Sequence, residues 1–354
     1  MSAEPNALSL ALKTLAHAGS LTTEQASDAF DVVMRGDGTA GQIAALLMGL
    51  RVKGETSAEV AGAANALRRA MLVLESDTPS TLVDTCGTGG GTVTTFNIST
   101  AAALLAAGAG ARVAKHGNRS FTSKSGSADV IEALGIAIDL PVGKMQDVLD
   151  TAGIVFMYAP TMHPAMRHVG AVRRDIAIPT VMNLVGPLAN PARAGRQVIG
   201  VADPSRVDLI AGALRTLGTK HSLVVHGAPG IDELSPLGKT TIVELRDGLE
   251  SRWELEPQDV GLVLSTPAEL VGGSPAENAA LIERVLAGKG PAGAEAAVVN
   301  ECRRRDLRRR TGGTLRECDR RGPRSTAQRG RARSTRKAPA RGPDWRNESR
   351  VVAG

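Results

Sequence analysis

The sequence predicts an α/β protein: a small helical domain followed by a larger domain with a mostly parallel central sheet flanked by helices. Over the first 75 residues, apolar side chains recur at helical spacing. From about residue 80, short β-branched runs alternate with helical segments, a pattern typical of a parallel sheet covered on both faces. We therefore expect a helical domain at 1–75 and an α/β domain at 80–300. The 42% hydrophobic content of the 354 residues is enough for a sizeable core.

The helical domain is predicted from its start and stop signals. Helices over 7–18 and 23–35 each run to a glycine, Gly19 and Gly36. Two further helices begin at capping boxes, Thr39 with Gln42 and Thr56 with Glu59.

The large domain is predicted from short apolar runs and the helical segments between them. The predicted strands cover 82–85, 111–114, 136–140, 154–158 and 222–225. The predicted helices between them include 101–107, 127–134 and 143–151.

The positive charge is concentrated at the C-terminal end. Residues 301–354 hold 18 Lys and Arg against 6 Asp and Glu, a net +12, so the total of +6 leaves −6 for residues 1–300. An acidic body with local cations favours a small anionic ligand over nucleic acid. The tail lacks apolar periodicity and is predicted to be disordered. It could be a basic nucleic-acid arm, but we favour an altered reading frame near Asn300.

Composition also bears on location and cysteine chemistry. The chain has no run of eighteen apolar residues and no signal-peptide pattern at its start, so we expect a cytoplasmic protein without a membrane partner. Cys86, Cys302 and Cys318 lack metal-ligand spacing, and we expect all three to be reduced.

The glycine cluster at 87–91 follows the first predicted strand and precedes a helix that starts near Asn97, Ser99 and Thr100. A strand, a glycine loop and a helix N-terminus together form an anion cradle. The spacing matches neither GxGxxG nor a P-loop, and a lone glycine cluster is often only a surface turn. Four nearby cations without an intervening acid favour phosphate binding: Arg112, Lys115, Arg119 and Lys124.

Two later segments carry further candidate residues. The segment 156–191 is punctuated by prolines and crowds five basic side chains together: His163, Arg167, His168, Arg173 and Arg174. The segment 224–235 places Asp232 and Glu233 just after a strand end. Taken alone, either group is typical of a solvated surface.

Three motifs of these segments resemble the anthranilate phosphoribosyltransferase family, and the likeness continues from Leu8 to about Asn300. Residues 87–90 match its Gly-Thr-Gly-Gly loop, 97–100 its Asn-x-Ser-Thr, and 115–119 its Lys-His-Gly-Asn-Arg. The His-Pro-Ala-Met, Val-Arg-Arg and Gly-Pro-Leu-x-Asn-Pro elements match at 163–166, 172–174 and 186–191. One position departs from the pattern, because the family's loop Asp and Gly are Gly91 and Thr92 here.

The resemblance implies transfer of a phosphoribosyl group from phosphoribosyl pyrophosphate to the amine of anthranilate, with Mg²⁺ as cofactor and a homodimer as the assembly. It assigns the phosphoribosyl pyrophosphate site to Gly87, Thr88, Gly89, Gly90, Thr95, Asn97, Ser99, Thr100, Lys115 and Ser127. It assigns anthranilate to Gly87, His116, Asn118, His163 and Arg173. It assigns the metal to Ser99, Asp232 and Glu233, and no residue acts as a nucleophile.

Two other functions remain open at this point. A pyrimidine-nucleoside phosphorylase has a related fold and a similar Lys-His loop, although 156–191 and the glycine loop are closer to the transferase. A binding or regulatory relative that has lost turnover is the second, because of Gly91 and the altered tail.

Overall fold

The computed structural model describes residues 5–120 and 124–307. Within those residues, no helix is both long and apolar enough to cross a membrane. Cys318 and the predicted tail beyond Leu307 lie outside the described residues, whereas Cys86 lies on a strand and is partly exposed.

Four helices form the N-terminal domain, as predicted: α1 (Ala7–Ala16), α2 (Thr23–Arg35), α3 (Ala40–Lys53) and α4 (Ser57–Ala70). Both predicted capping boxes are present, and Thr22 with Gln25 forms a third at the start of α2. Gly36 ends α2 in the left-handed conformation, at φ +83°. The buried carboxylate of Glu59 joins α4 to its neighbours, because it accepts hydrogen bonds from Leu21 N–H at 2.9 Å and from Lys53 Nζ at 2.9 Å.

The large domain contains one seven-stranded sheet in the order β3-β2-β1-β4-β5-β6-β7. Its strands are β1 (Val83–Gly87), β2 (Val113–Gly117), β3 (Ile154–Tyr158), β4 (Arg196–Gly200), β5 (His221–Gly227), β6 (Thr240–Arg246) and β7 (Leu249–Leu255). The first five strands pair in parallel, and β6 and β7 add antiparallel pairs at one edge. The predicted mostly parallel sheet is therefore confirmed.

Helices cover this sheet and link it to the N-terminal domain. They are α5 (Ile98–Gly108), α6 (Ser127–Ala133), α7 (Val142–Ala152), α8 (Ala159–Met162), α9 (Arg167–Ile176), α10 (Met182–Val185), α11 (Val207–Thr216), α12 (Pro267–Leu270), α13 (Pro275–Leu286) and α14 (Ala292–Leu307). One continuous apolar cluster includes Leu46 of α3, Val60 of α4, Val169 of α9 and Ile199 of β4. The helical domain and the sheet thus share a core. The partly buried ion pair between Arg206 Nη1 and Glu55 Oε2, at 2.6 Å, also joins them.

The strand order places a crevice beside β1. The chain runs from β1 to β2 and β3 on one side of β1, then returns to form β4 on the other side. The carboxyl ends of β1 and β4 lie together, because the pairing runs from Val83 opposite Arg196 to Gly87 opposite Gly200. In open α/β sheets, such a reversal of strand order is where ligands bind.

Some predicted elements were wrong or absent. Residues 136–140 form no strand: Ile138 packs beneath α6 with Ile131, while Ile136 is exposed. Strands β4, β6 and β7 were not predicted. The last two are joined by a two-residue turn, in which Asp247 and Gly248 both have positive φ, +48° and +83°.

The predicted start of the disordered tail at Glu301 was also wrong. Helix α14 continues to Leu307, and Glu301 is only 2% exposed. Its Oε2 accepts the N–H of Leu234 at 3.3 Å, next to the paired carboxylates at 232 and 233. The ordered body of the protein therefore extends past Asn300.

We expect a chain ending at Leu307 to melt at a higher temperature than one ending at Asn300. The shorter chain leaves the buried N–H of Leu234 without its acceptor, and such a loss costs about 1–3 kcal/mol. For a protein of this size each kcal/mol lowers Tm by roughly 2–4 °C. Differential scanning calorimetry of both truncations and the full chain measures the difference. Equal melting temperatures for the two truncations would show that residues 301–307 add nothing.

Candidate active site

The candidate site lies where the parallel strands end and three loops meet. The glycine loop 87–91 leaves β1, the segment 117–120 leaves β2, and the segment 228–233 leaves β5. The N-terminus of α5 follows the glycine loop. Most of the site residues predicted from the sequence lie on these segments, so the fold gathers them at the crevice beside β1.

Asp232 lies against the ends of β1 and β4. Its Oδ2 accepts the N–H of Gly89 at 2.8 Å. A Cβ atom at Gly200 would overlap the backbone of Asp232, so this position requires glycine, and one at Gly87 would displace the carboxylate from its present position. Burial raises the pKa of Asp232, while the Gly89 hydrogen bond acts in the opposite direction. The predicted anion loop and the predicted metal carboxylate are therefore in direct contact.

Glu233 lies at the N-terminus of α5. Its Oε1 accepts the N–H of Ser99 at 3.2 Å, and it is 9% exposed. Asn97 occupies the N-cap position but makes no side-chain cap. Instead, its Oδ1 accepts from Asn278 Nδ2 at 2.9 Å and its Nδ2 donates to Ser125 O at 3.1 Å. The helix N-terminus is consequently left to bind an acidic group, at present Glu233.

Thr100 offers a second indication of an anion at this helix terminus. It is 1% exposed, and its Oγ1 has no hydrogen-bond partner in the described parts of the chain. A buried hydroxyl without a partner is uncommon in a folded protein. An acceptor arriving at the start of α5 would satisfy it.

Lys115 is the cation that the fold brings into this site. It is 2% exposed, and its Nζ donates to Thr85 O at 2.5 Å and to Ser99 Oγ at 3.3 Å. Two other cations of the predicted group are neutralised elsewhere: Arg112 pairs with Asp150 at 2.6 Å, and Arg119 pairs with Asp129 at 2.8 Å. Two of the four cations that indicated phosphate binding are therefore paired with acids, while Lys115, the one assigned to phosphoribosyl pyrophosphate, lies at the start of α5.

His116 and His163 form a buried pair. Their Nε2 atoms are 3.2 Å apart and their ring centroids 4.9 Å apart. Burial lowers the pKa of His116 to about 4, with Lys115 contributing, and burial and His116 lower the pKa of His163 to about 3. Both imidazoles are neutral at physiological pH. A neutral pair can share one N–H between the two facing nitrogens, which fixes the orientation of both rings.

Asp84 supports this pair from inside the sheet and was not predicted as a site residue. It is fully buried on β1, and its Oδ1 accepts the N–H of His116 at 3.1 Å and that of Thr85 at 2.7 Å. Its Oδ2 accepts from Gln197 on β4 at 3.4 Å. The sequence did contain a sign of this role, since an acid within an apolar strand is rarely buried unless it is hydrogen-bonded.

Asn118 and Ser127 hold each other at the end of β2. Ser127 Oγ accepts the N–H of Asn118 and donates to its carbonyl, both at 3.2 Å. The predicted phosphate contact of Ser127 therefore competes with a structural one. Asn118 Oδ1 accepts the N–H of Arg119 at 2.8 Å, so the carboxamide is tied to the loop backbone through its oxygen.

Arg173 lies on α9 and is half-buried. Burial lowers the pKa of its guanidinium. The guanidinium makes no hydrogen bond or ion pair with the described residues, and the adjacent Arg174 is exposed. A partly desolvated guanidinium without an anion is a receptor for a carboxylate.

Of the remaining predicted residues, Thr88 and Thr95 have structural contacts, whereas Gly90 is exposed. Thr88 N–H donates to Gly200 O at 2.9 Å, and its Oγ1 accepts the N–H of Ala202 at 3.2 Å, so this residue ties the glycine loop to β4. Thr95 forms an isolated β-bridge with Val271. Gly90 lies in open space at the exposed tip of the loop.

The departure at residues 91 and 92 falls where the two loops touch. A Cβ at Gly91 would lie 2.8 Å from Gly230 O. The N–H of Thr92 donates to the same carbonyl at 2.9 Å, and its hydroxyl lies 3.3 Å from Pro229 O. The glycine loop and the carboxylate loop are thus joined through backbone.

The residues present fit a magnesium ion whose ligands come partly from the protein and partly from a bound substrate. The described residues contain no group of three or more His, Cys, Asp or Glu side chains able to hold a metal alone. Asp232 and Glu233 supply two carboxylates beside the anion-binding N–H groups. Mg²⁺ is commonly held by one or two carboxylates together with substrate phosphates and water.

Two family comparisons cover most of the chain. Residues 79–304 match the glycosyl transferase family, a/b domain, and residues 10–71 match the helical bundle domain of the same family. The anthranilate phosphoribosyltransferase of Roseiflexus castenholzii is 49% identical over 270 residues, which are 76% of this chain and 79% of that protein.

Solved structures agree in fold. The anthranilate phosphoribosyltransferase of Thermus thermophilus has a TM-score of 0.81 and 38% identity, and the match covers 87% of this chain and 92% of that one. The Saccharomyces cerevisiae enzyme in complex with PRPP and Mg has a TM-score of 0.80 and 26% identity, covering 91% and 93%. It has also been solved with 4-fluoroanthranilate, at the same score. By sequence and by structure, the chain belongs to the anthranilate phosphoribosyltransferase family.

Proposed function

We propose that this protein transfers the phosphoribosyl group of phosphoribosyl pyrophosphate to the amino nitrogen of anthranilate, releasing pyrophosphate, with Mg²⁺ as cofactor. The carrying observation is the position of Asp232 and Glu233. These adjacent carboxylates contact the glycine loop through Gly89 and the N-terminus of α5 through Ser99. A metal carboxylate pair, a pyrophosphate loop and a phosphate-binding helix terminus therefore meet at one place.

In this proposal, one set of hydrogen-bond donors binds the pyrophosphate end of the substrate and another set binds the 5-phosphate end. The loop Gly87, Thr88, Gly89 and Gly90 receives pyrophosphate, and Thr95, Asn97, Ser99, Thr100 and Ser127 surround the ribose 5-phosphate. Lys115 lies beside Ser99 and adds positive charge at the junction. Asp232, Glu233 and Ser99 hold Mg²⁺, which neutralises the charge that develops on the departing pyrophosphate.

The chemistry requires positioning rather than a protein nucleophile. As the bond from the anomeric carbon to pyrophosphate breaks, positive charge builds on the ribose and negative charge on the leaving group. Fixed N–H groups and Lys115 stabilise the second of these without reorganising. Alignment of the aromatic amine with the anomeric carbon supplies the rest of the acceleration.

The anthranilate side of the site is proposed to comprise Gly87, His116, Asn118, His163 and Arg173. Arg173 supplies a guanidinium with no other anion among the described residues, suited to the carboxylate. The neutral imidazoles of His116 and His163 bring no cation that would protonate or repel an amine. Production of phosphoribosyl anthranilate from the two substrates tests the activity directly, and its absence in the folded protein would support the impaired relative.

We also propose that the protein is a cytoplasmic homodimer. Leu10 on α1 and Val52 on α3 are 51% and 80% exposed, so each of these helices carries a large apolar side chain that a second copy could bury. Sedimentation equilibrium distinguishes a dimer from a monomer.

We expect stability to fall as the pH drops below about 6.5, and the His116–His163 pair to account for part of the loss. The unfolded chain binds protons near pH 6.5, whereas the folded pair binds them only near 4 and 3. The stabilisation is complete above 6.5 and declines toward those values, by about 1.4 kcal/mol per pH unit for each proton. Melting curves between pH 4 and 8 should show a shallower slope for His163→Gln than for the wild type. Identical slopes would contradict neutral burial of this imidazole.

Replacing Arg173 with Ala should raise KM for anthranilate while leaving KM for phosphoribosyl pyrophosphate nearly unchanged. A hydrogen bond to a charged group contributes about 1.5–3 kcal/mol, or roughly ten- to a hundred-fold in affinity. The matched control is Arg174→Ala, because Arg174 is adjacent on the same helix but exposed. Steady-state kinetics with each substrate varied in turn measures both constants. An equal effect on both substrates, or an equal effect of the two variants, would refute the assignment.

Replacing Asp232 with Asn and Glu233 with Gln together should abolish most activity and weaken Mg²⁺ binding. The control removes two surface carboxylates of similar type, Asp208→Asn with Glu250→Gln, each paired with an arginine. Calorimetric titration of Mg²⁺ into protein with pyrophosphate gives the affinity without turnover. An unchanged titration in the first double variant would show that these carboxylates do not hold the metal.

A further inference from the structure

The carboxylate of Asp129, on the first turn of α6, gathers three donors from the loop that leaves β2. Its Oδ2 accepts the N–H of Ser120 at 3.2 Å and that of Gly126 at 2.8 Å, and its Oδ1 accepts from Arg119 Nη1 at 2.8 Å. Burial acts to raise the pKa of Asp129, but the hydrogen bonds from Gly126 and Arg119 hold it below its usual range. This side chain is therefore a charged acceptor joining both ends of the loop.

The two loop ends are packed closely at this point. A Cβ at Gly126 would overlap the N–H of Ser120 and lie 2.6 Å from the carbonyl carbon of Arg119 and 2.7 Å from Asn118 O. Without a central acceptor, two backbone N–H groups that face the same point would repel each other. Asp129 removes that repulsion by binding both.

The loop end fixed in this way carries the side chain proposed to contact anthranilate. Asn118 Oδ1 accepts the N–H of Arg119, the residue whose side chain Asp129 binds. Because the carboxamide oxygen is thus engaged, Nδ2 is the end left for a ligand. The path from Asp129 to this donor passes through one residue, Arg119.

We propose that Asp129 is a positioning residue, which orients the carboxamide of Asn118 toward anthranilate by fixing the backbone of Arg119 and Ser120. This inference rests on the proposed function for the identity of the substrate. It assigns Asp129 no contact with either substrate.

A simpler role for Asp129 would be the capping of α6 alone. Asp129 does cap the start of this helix, because its Oδ2 accepts the N–H of Gly126, the N-cap residue. A cap needs only the hydrogen bond from Gly126 N–H, and the contacts with Ser120 and Arg119 lie outside it. The longer Glu, which is common at this helix position, keeps the cap and shifts the carboxylate. Asp129→Glu therefore separates the two roles.

The experiment compares Asp129→Asn and Asp129→Glu with Glu132→Gln. Glu132 is the matched control because it also binds Arg119, at 2.8 Å, yet makes no hydrogen bond to the described backbone of the loop, residues 117–120 and 124–126. We expect KM and the calorimetric Kd for anthranilate to rise about tenfold in Asp129→Asn and severalfold in Asp129→Glu, as for the loss of a hydrogen bond to a charged group. KM for phosphoribosyl pyrophosphate should stay within about twofold in all three.

Three outcomes would overturn the inference. One is an unchanged anthranilate KM in both Asp129 variants. Another is an equal rise in Glu132→Gln, which would make the charge of Arg119 the cause. The third is a lower Tm and kcat with both KM values unchanged, which would leave only a helix cap.

Amide hydrogen exchange tests the same inference without any substrate. Exchange at Arg119, Ser120 and Gly126 should be faster in Asp129→Asn than in Glu132→Gln or the wild type. If the wild type forms no product from anthranilate, the proposed function fails while this measurement still decides whether Asp129 fixes the loop. Unchanged exchange would reject the positioning role even in an active enzyme.

Discussion

The site depends on a close approach between the ends of β1 and β4 and the loop that carries Asp232. A Cβ atom at Gly87 would overlap the carboxylate of Asp232, and one at Gly200 would overlap its backbone. Asp232 can lie in this position because both strand ends are glycine. The approach allows Asp232 to reach the N–H of Gly89 and Glu233 to reach that of Ser99. Parallel pairing of β1 with β4 places Gly87 opposite Gly200, so the register of the sheet determines the geometry of the site.

In the substrate-free chain, the carboxylates occupy donors that the phosphate groups would use. The N–H groups of Gly89 and Ser99 cannot bind a carboxylate and a phosphate equally well at the same time. A bound Mg²⁺ would relieve this competition, because it attracts the oxygens of Asp232 and Glu233 as well as those of the substrate phosphates. The same two residues therefore preserve the cradle before the substrate binds and, in the proposed function, hold the metal afterwards.

The elements with local sequence signals could be predicted, and those that depend on distant contacts could not. Helix α2 was predicted to the residue because Gly36 ends it. The hairpin of β6 and β7 was not predicted, although Asp247-Gly248 is a dipeptide typical of two-residue hairpin turns. The sequence identifies the cations of 111–124 but not the acids that pair with them. Arg112 pairs with Asp150, 38 residues away, and Arg119 pairs with Asp129, 10 residues away. Asp84 could have been predicted as buried, but its role beneath His116 required the register of the sheet.

Gly91 shows why a departure from a family motif has to be judged in its structural setting. By sequence alone, the missing Asp indicates a contact that is lost or supplied from elsewhere, and it is one reason to consider an impaired relative as an alternative. In the fold, the position of its Cβ lies 2.8 Å from Gly230 O, so an aspartate could not be accommodated without moving the carboxylate loop. Thr92 then joins the same carbonyl through its N–H. Residue 91 has no charged side chain here, but the hydrogen bond from Thr92 N–H to Gly230 O links the glycine loop directly to the loop of Asp232. A link of this kind holds Asp232 beside Gly89 without an added carboxylate, and the substitution is consistent with a working site.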